Sequence, residues 1–489
     1  MTNSLNLIQN LVVLMLENRS FDNVLGSLYP NSARFEGLKL DGTMSNTYHG
    51  TTYPVTNTSS TDPFVTPTPD PGESFSDMSL QIFNTTDPPE GAPANMAGFI
   101  NDWMATPSQY PGIPTGKECF FVPSWPSLPR TPLPSPADIM FYFAPSQLPV
   151  TSVLAKSFAV SDAWFGSCPT QTYPNRFFLN CATSGGYVND VDYPCNLELW
   201  PRIPSIFELL DGGAACNPQN WKVYFHDFPL ASLIEYVLQS PGNLCNFDTS
   251  DFGGDSRHPT FQEDVANQTL PKYAFIEPRY GGINDLPPND NHPPFDVRYG
   301  ETLVATIYNL LHASSYYWPR TLLIITYDEH GGCFDHVIPP SAVPPGGTVL
   351  RNPSTFPFSR YGPRVPAILV SPYVPAGSVI RPAKFSYIQG SGTSTTNGAT
   401  PFDHTSVIRT IVEAFNISNG AAYLTARDAN APSLANALSL DAQHMNNGPQ
   451  AVQPPVLDSI PITAKRDSHL AEIYQAMLRR RSEDKKMSR

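Results

Sequence analysis

Two adjacent carboxylates, Asp328 and Glu329, follow the apolar run at 322–326 after a single tyrosine, in the segment TLLIITYDEHGGCFDHVIPP, which also carries His330, Asp335 and His336. A charge buried without a partner is costly. Acids at the carboxyl end of a core strand therefore hold a metal, pair with a base or line an open crevice, and that end of the strands is where open α/β sheets bind ligands. The competing reading is a solvated turn built on Gly331 and Gly332. The same arrangement occurs near the N-terminus, where LVVLML at 11–16 leads into Glu17 and Asn18. Two such strands side by side in a parallel sheet bring Glu17 to Asp328 and Glu329.

A third candidate is Thr172, in GSCPTQTYPNR at 166–176. Pro174 suits the first turn of a helix, so Thr172 falls at a helix N-terminus, where unpaired N–H groups and the dipole favour a phosphate. A hydroxyl there is placed to attack phosphorus if a cation lowers its pKa; its commoner task is to cap the helix. His226 follows a strand expected at 221–225, and His292 precedes a helix expected at 299–312, both on the same presumed sheet edge.

The elements that must position these residues are mostly short. Further strands are expected at 272–276 and 364–370, a helix followed by a strand over 148–165, and a helix at 406–415 capped by Asp403 or Thr405. Asn18 or Ser20 caps a short helix that Gly26 stops, and another short helix is expected at 94–104. The chain has 53 prolines in 489 residues, roughly twice the usual share, concentrated in long loops. Residues 45–93 read as a loop over the surface and 110–136 as another, together walling a substrate cleft. The tail from Asp467 reads as a peripheral helix with a basic end.

A net charge of −14 opposes nucleic-acid binding and electrostatic docking on an anionic membrane, which leaves at most transient membrane contact. No segment approaches the roughly 20 apolar residues of a membrane span, and no basic region followed by a cleavable apolar stretch opens the chain. It reads as cytosolic, or as a secreted form whose leader is absent. Seven cysteines leave at least one unpaired. Six lie between 119 and 245, with pairing that spacing does not reveal. Cys333 is expected to be a buried free thiol. The lack of a C-x-x-C pair argues against a zinc ribbon.

Six segments in order resemble the phosphoesterase family that contains non-specific phospholipases C and acid phosphatase A type enzymes. They are ENRSFDNVLG at 17–26, TYPNR at 172–176, NHPPFDV at 291–297, YDEHGGCFDHVIPP at 327–340, GPRVPAILVSPYV at 362–374 and FDHTSVIRTI at 402–411. The resemblance implies an α/β fold with an alkaline-phosphatase-like core, a mainly parallel central sheet flanked by helices, and long Pro-rich loops. It implies one domain over 1–465, with the 45–136 region inserted, and a separate tail at 466–489. It further implies one divalent metal ion on Glu17, Asn18, Thr172, Asp328 and Glu329, with Thr172 as nucleophile. His292 and His226 become catalytic, and Asn175, Arg176, His330 and His336 bind substrate: a phosphomonoester, phosphodiester or phospholipid. Such an all-oxygen ligand set suits Ca2+, Mg2+ or Mn2+ better than zinc.

One departure stands out. Asp70-Pro71-Gly72-Glu73 ends in Glu where many relatives have His, which bears on substrate preference. A sulfatase of the same superfamily would need Cys where this chain has Thr172. A non-catalytic metal-dependent binding protein on the same scaffold is the alternative from another class.

Overall fold

Two seven-residue runs without a charged side chain, NLVVLML and TLLIITY, form neighbouring parallel strands, Asn10–Leu16 and Thr321–Tyr327, with every residue buried. A strand covered on both faces needs such a continuous apolar run. The computed structural model describes residues 4–30, 32, 34–89, 91–106, 134–190, 202–249, 258–281, 286–346, 354–388, 391–395, 399–417 and 423–457. The tail from Asp467, most of the 110–136 stretch, Cys119 and Cys195 lie outside the described residues.

The two strands are the middle of an eight-stranded sheet. Its order is Ser378–Ile380, Ala159–Ser161, Ala367–Val370, Thr321–Tyr327, Asn10–Leu16, Tyr273–Glu277, Trp221–Phe225, Leu244–Asn246. All neighbours are parallel except Ala367–Val370, which runs antiparallel to both of its own. Helices such as Pro149–Ser157, Val297–Ala313 and Thr405–Ala414 bury apolar side chains in the same core as the strands. The mixed α/β class with a mainly parallel sheet is therefore as expected from sequence. No helix among the described residues is long and apolar enough to cross a membrane.

Several local expectations are corrected. The strand expected at 364–370 shortens to Ala367–Val370, since Pro366 has no N–H to give a ladder. The helix Thr405–Ala414 has no side-chain cap; Thr405 Oγ1 instead donates to Asp403 Oδ1, at 2.5 Å. Ser20, not Asn18, caps Phe21–Val24, accepting from the Asn23 N–H at 3.0 Å.

The largest correction is to residues 45–93. They hold a hairpin, Ser45–Tyr48 with Thr51–Pro54, and a helix, Phe75–Phe83, opened by a reciprocal capping box between Ser74 and Asp77. With the helix Phe99–Ala105 they enclose a second apolar cluster of Ile82, Phe99, Trp103 and Phe334. Phe334 belongs to the segment after Asp328 and Glu329, so this cluster fastens the inserted region over the carboxyl edge of the sheet.

Behind the sheet, Glu301 joins two helices. Its buried carboxylate accepts from the Val150 N–H at 2.6 Å and the Thr151 N–H at 3.1 Å, at the start of Pro149–Ser157, whose own preceding residue makes no side-chain cap bond. Glu301→Ala leaves those donors orphaned. It should cost about 2–3 kcal/mol by urea denaturation, and Glu301→Gln, which keeps one acceptor oxygen, clearly less. Equal stability of Glu301→Ala and wild type would remove this capping role.

Candidate active site

The register of the two central strands pairs Leu16 with Tyr327, so Glu17 and Asp328 leave the sheet side by side. The loops beyond them interlock. The Asn18 N–H donates to Asp328 Oδ1 at 3.0 Å, as does the Glu329 N–H at 2.7 Å. The Arg19 N–H donates to the Glu329 carbonyl at 3.1 Å. Asn18 takes φ of +56°, a left-handed conformation that Asn tolerates better than most residues. Gly331 and Gly332 have φ of +61° and +62°. A Cβ on Gly331 would lie 1.9 Å from the Asn18 carbonyl oxygen, and one on Gly332 would lie 2.7 Å from the Gly72 carbonyl oxygen. Both glycines are thus required by backbone contact, not by a solvated turn.

Thr172 is the first residue of the helix Thr172–Cys181, and Gln171 occupies the cap position without a side-chain bond. The Thr172 hydroxyl donates to Glu17 Oε2 at 3.3 Å. One turn on, the Arg176 guanidinium donates from Nε to Glu17 Oε1 at 2.9 Å and lies 3.5 Å from Asp328 Oδ2 and 3.4 Å from Glu277 Oε1. Asn175 faces away from this group. Its amide accepts from the Cys168 N–H at 3.1 Å and donates to the Thr170 carbonyl at 2.7 Å, so it ties the 168–171 loop to the helix instead of meeting a ligand.

The histidines divide. His292 lies beside Asn18, with Nε2 2.9 Å from Asn18 Nδ2, and its Nδ1 is 2.6 Å from the Pro293 carbonyl oxygen. Asn18 Nδ2 also donates to Glu73 Oε1. Asp70, Glu73 and His292 offer ligand atoms within 4.8 Å of one another. His226 stands two strands along the edge from Glu17, about 10 Å at normal strand spacing. There Nδ1 is 3.4 Å from the Arg279 guanidinium and the ring lies against Phe247.

His330 is wedged between Gln81, 2.7 Å from Nε2, and Glu329, 3.3 Å from Nδ1; burial pushes its pKa down to about 3, so the ring is neutral. His336 points out of this group altogether, into a network with Asp22, Glu36 and Arg364.

Sequence reasoning missed three contributors, Gln81, Glu277 and His404, and gave Glu73 a bearing on substrate preference rather than a contact with Asn18. Glu73 and Gln81 arrive from the region read as a surface loop. Glu277 closes the Tyr273–Glu277 strand, one residue beyond the expected end, and meets Arg176. His404 sits in a quoted motif without a role, yet its Nε2 is 2.6 Å from the Asp328 carbonyl oxygen, and its pKa falls to about 4 through burial. Only the helix-opening Ser-x-x-Asp at 74–77 was a legible signal of Glu73 and Gln81.

Burial raises the pKa of Glu17 well above normal, and Asp328 and Asp290 add to the rise against the pull of Arg176. Burial, then Asp328 and Asp70, do the same to Glu329. Asn18 Oδ1, Asp328 Oδ2 and Glu329 Oε1 are buried without a hydrogen-bond partner. Orphaned carboxylate and amide oxygens are the donor type a hard cation takes, so the chemistry of these residues suits a divalent ion.

The model of the Phosphoesterase family matches residues 8–418. The chain belongs to the phosphoesterase family. Its reaction is therefore hydrolysis of phosphoric ester bonds, which sets aside a non-catalytic scaffold. Non-specific phospholipase C6 of Arabidopsis thaliana is 34% identical over 426 residues, 86% of this chain and 70% of that protein. Phospholipase C B of Mycobacterium tuberculosis is 26% identical over 444 residues, 84% and 74% of the two chains. Among solved structures, the lipoteichoic acid synthase LtaP of Listeria monocytogenes aligns with a TM-score of 0.36 and 16% identity, over 59% of this chain and 70% of its own.

The His336 network of this phosphoesterase has a pH signature. Burial opposes charge on the ring, but Asp22, 2.6 Å from Nδ1, and Glu36 outweigh it and raise the pKa to about 9. An unfolded histidine titrates near 6.5. The folded state thus holds an extra proton between those values, and the stabilisation is full below about pH 6.5 and lost as pH rises through 9. Wild type should lose up to about 3 kcal/mol over that window. His336→Gln should be less stable at pH 6.5 and nearly flat above it. Parallel wild-type and variant profiles would refute the assignment.

Proposed function

We propose that this phosphoesterase cleaves phospholipid phosphodiesters, as a phospholipase C does, through Thr172 as a covalent nucleophile beside one divalent cation held by Glu17, Asn18, Asp328 and Glu329. The observation that carries the reading is the Thr172 hydroxyl at a helix N-terminus, 3.3 Å from Glu17 Oε2 and one helical turn from Arg176. The names of the relatives favour a phospholipid over a phosphomonoester. When bound, the cation supplies charge neutralisation at the phosphoryl oxygens and lowers the pKa of a neighbouring hydroxyl.

The chain's own groups account for the rest. Thr172 Oγ bonds to phosphorus as the bond to the lipid oxygen breaks, and the hydroxyl proton, passed to Glu17, ends on that leaving oxygen. Water then attacks the phosphothreonine; Glu17, the hydrogen-bond partner of Thr172, takes its proton and returns it to Thr172 Oγ as the P–Oγ bond breaks, with His292 held beside Asn18 at the edge of the site. Helix N–H groups and Arg176 hold the phosphoryl oxygens. His226, with Arg279, is suited to the outer part of the headgroup rather than to the reacting phosphorus.

Thr172→Ala should lose roughly 10³-fold or more in turnover of phosphatidylcholine in mixed micelles, while its melting temperature stays close to wild type because Gln171, not Thr172, is the cap. Thr172→Ser should recover part of the rate, and a chelator should abolish it until Ca2+, Mg2+ or Mn2+ is returned. Near-normal turnover by Thr172→Ala would end the covalent mechanism. A strong preference for p-nitrophenyl phosphate over the lipid would replace the phospholipase reading with a phosphatase one.

A further inference from the structure

Asn18 is the neutral member of the set Glu17, Asn18, Asp328 and Glu329, and its amide can point two ways. Oxygen and nitrogen have nearly the same shape, so a half-turn of the amide costs nothing sterically, and only its hydrogen-bond partners decide which atom faces the cluster. On one side of the amide stand Glu73 Oε1 and His292 Nε2, both in contact with Asn18 Nδ2. His292 Nδ1 lies 2.6 Å from the Pro293 carbonyl oxygen, which places the hydrogen of a singly protonated ring on Nδ1. Nε2 is then a lone pair. Two acceptors on one side match the two hydrogens of Nδ2 and repel Oδ1.

We propose that Glu73 is a positioning residue of the active site: its carboxylate, together with His292 Nε2, locks the Asn18 amide so that Oδ1 faces Glu17, Asp328 and Glu329. This rests on the reading that those residues hold a divalent cation. Glu73 is the decisive partner of the two. Histidine can exchange tautomers and offer a hydrogen from Nε2, which would accept the flipped amide, whereas a carboxyl group keeps an accepting oxygen toward Asn18 Nδ2 with or without its proton. The locked orientation leaves Oδ1 buried with no protein partner, the state expected of a ligand oxygen.

The backbone that carries Glu73 is built to hold it there. Glu73 is 4% exposed and directly precedes Ser74, the cap of Phe75–Phe83. The preceding turn lies against Gly332, where a Cβ would come within 2.7 Å of both the Gly72 carbonyl oxygen and Pro71 Cβ. Gln81, from the same helix, donates to the Gly72 carbonyl at 2.8 Å and to Asp102 at 2.8 Å, and its Oε1 meets His330 Nε2 at 2.7 Å. Pro71 and Gly72 are thus fastened to the segment that carries Asp328 and Glu329.

The test is isothermal titration of Mn2+ into the chelator-stripped full chain, comparing wild type, Glu73→Ala and Glu73→Gln, with melting temperatures recorded for each. Loss of a side chain that orients a metal ligand typically weakens affinity 10–100-fold, and Glu73→Ala should show that. Glu73→Gln, whose amide oxygen accepts from Asn18 Nδ2 equally well, should stay within about threefold of wild type. Should Glu73→Ala not fold, Glu73→Met fills the same space without an oxygen acceptor. Unchanged affinity in Glu73→Ala overturns the proposal. So does a Glu73→Gln variant as weak as Glu73→Ala, because negative charge or direct ligation would then be the role. Failure of wild type itself to bind Mn2+ would instead remove the metal centre, and this proposal with it.

Discussion

Carboxylates crowded together at the ends of two adjacent, fully buried parallel strands are the constraint from which the rest of this structure follows. Like charges about 4 Å apart repel by about 4 kcal/mol even at an effective dielectric of 20, and Glu17, Asp328 and Glu329 share one buried edge with Glu277 and Asp290. Such a cluster needs compensation from whatever can approach it. Arg176 arrives on a helix whose first residue is Thr172, so the cation that steadies Glu17 also fixes the hydroxyl relative to the acids. The placement of the Thr172 hydroxyl and the charge balance are one piece of geometry.

The same constraint explains the inserted region. Residues 45–106 do not drape over the surface; they close the acid cluster from above. Their apolar contact with Phe334 and their backbone contact with Gly332 use the segment that carries the acids as a floor. A side chain larger than hydrogen at Gly331 or Gly332 would push the two layers apart. The pair of glycines therefore records a close approach between three chain segments distant in sequence.

This is also where legibility in the sequence ends. The strand-end acids were readable because a doubly buried strand must be a continuous apolar run and its last residue is therefore easy to locate. Thr172 was readable because Pro174 marks a helix start. Side-chain direction beyond a strand end was not: His330 and His336 lie six residues apart in one motif, yet one meets Glu329 and the other Asp22. Asn175 sits in the motif of Thr172, and its amide is hydrogen-bonded to its own loop. Glu73 reached the site through packing on Gly332, a contact with no local trace, in a stretch whose prolines and threonines mask a short capped helix.

Two clusters of similar composition show what separates a functional group of acids from a structural one. Asp22, Asp335 and His336 bring ligand atoms within 4.8 Å of one another, as Asp70, Glu73 and His292 do beside the acid pair. In the first, Arg364 enters the middle: it donates to Asp335 at 3.0 Å and Asp22 at 2.9 Å, and its remaining nitrogen reaches the Glu36 and Asp162 carbonyls. The charge is answered by the protein itself. At the strand ends Arg176 reaches only part of the cluster, and Asn18 Oδ1 and Glu329 Oε1 are left without a hydrogen bond. The fold places a guanidinium at the centre of one acid cluster and leaves oxygens of the neighbouring one unanswered, and it is the second that could take a charge from outside the protein.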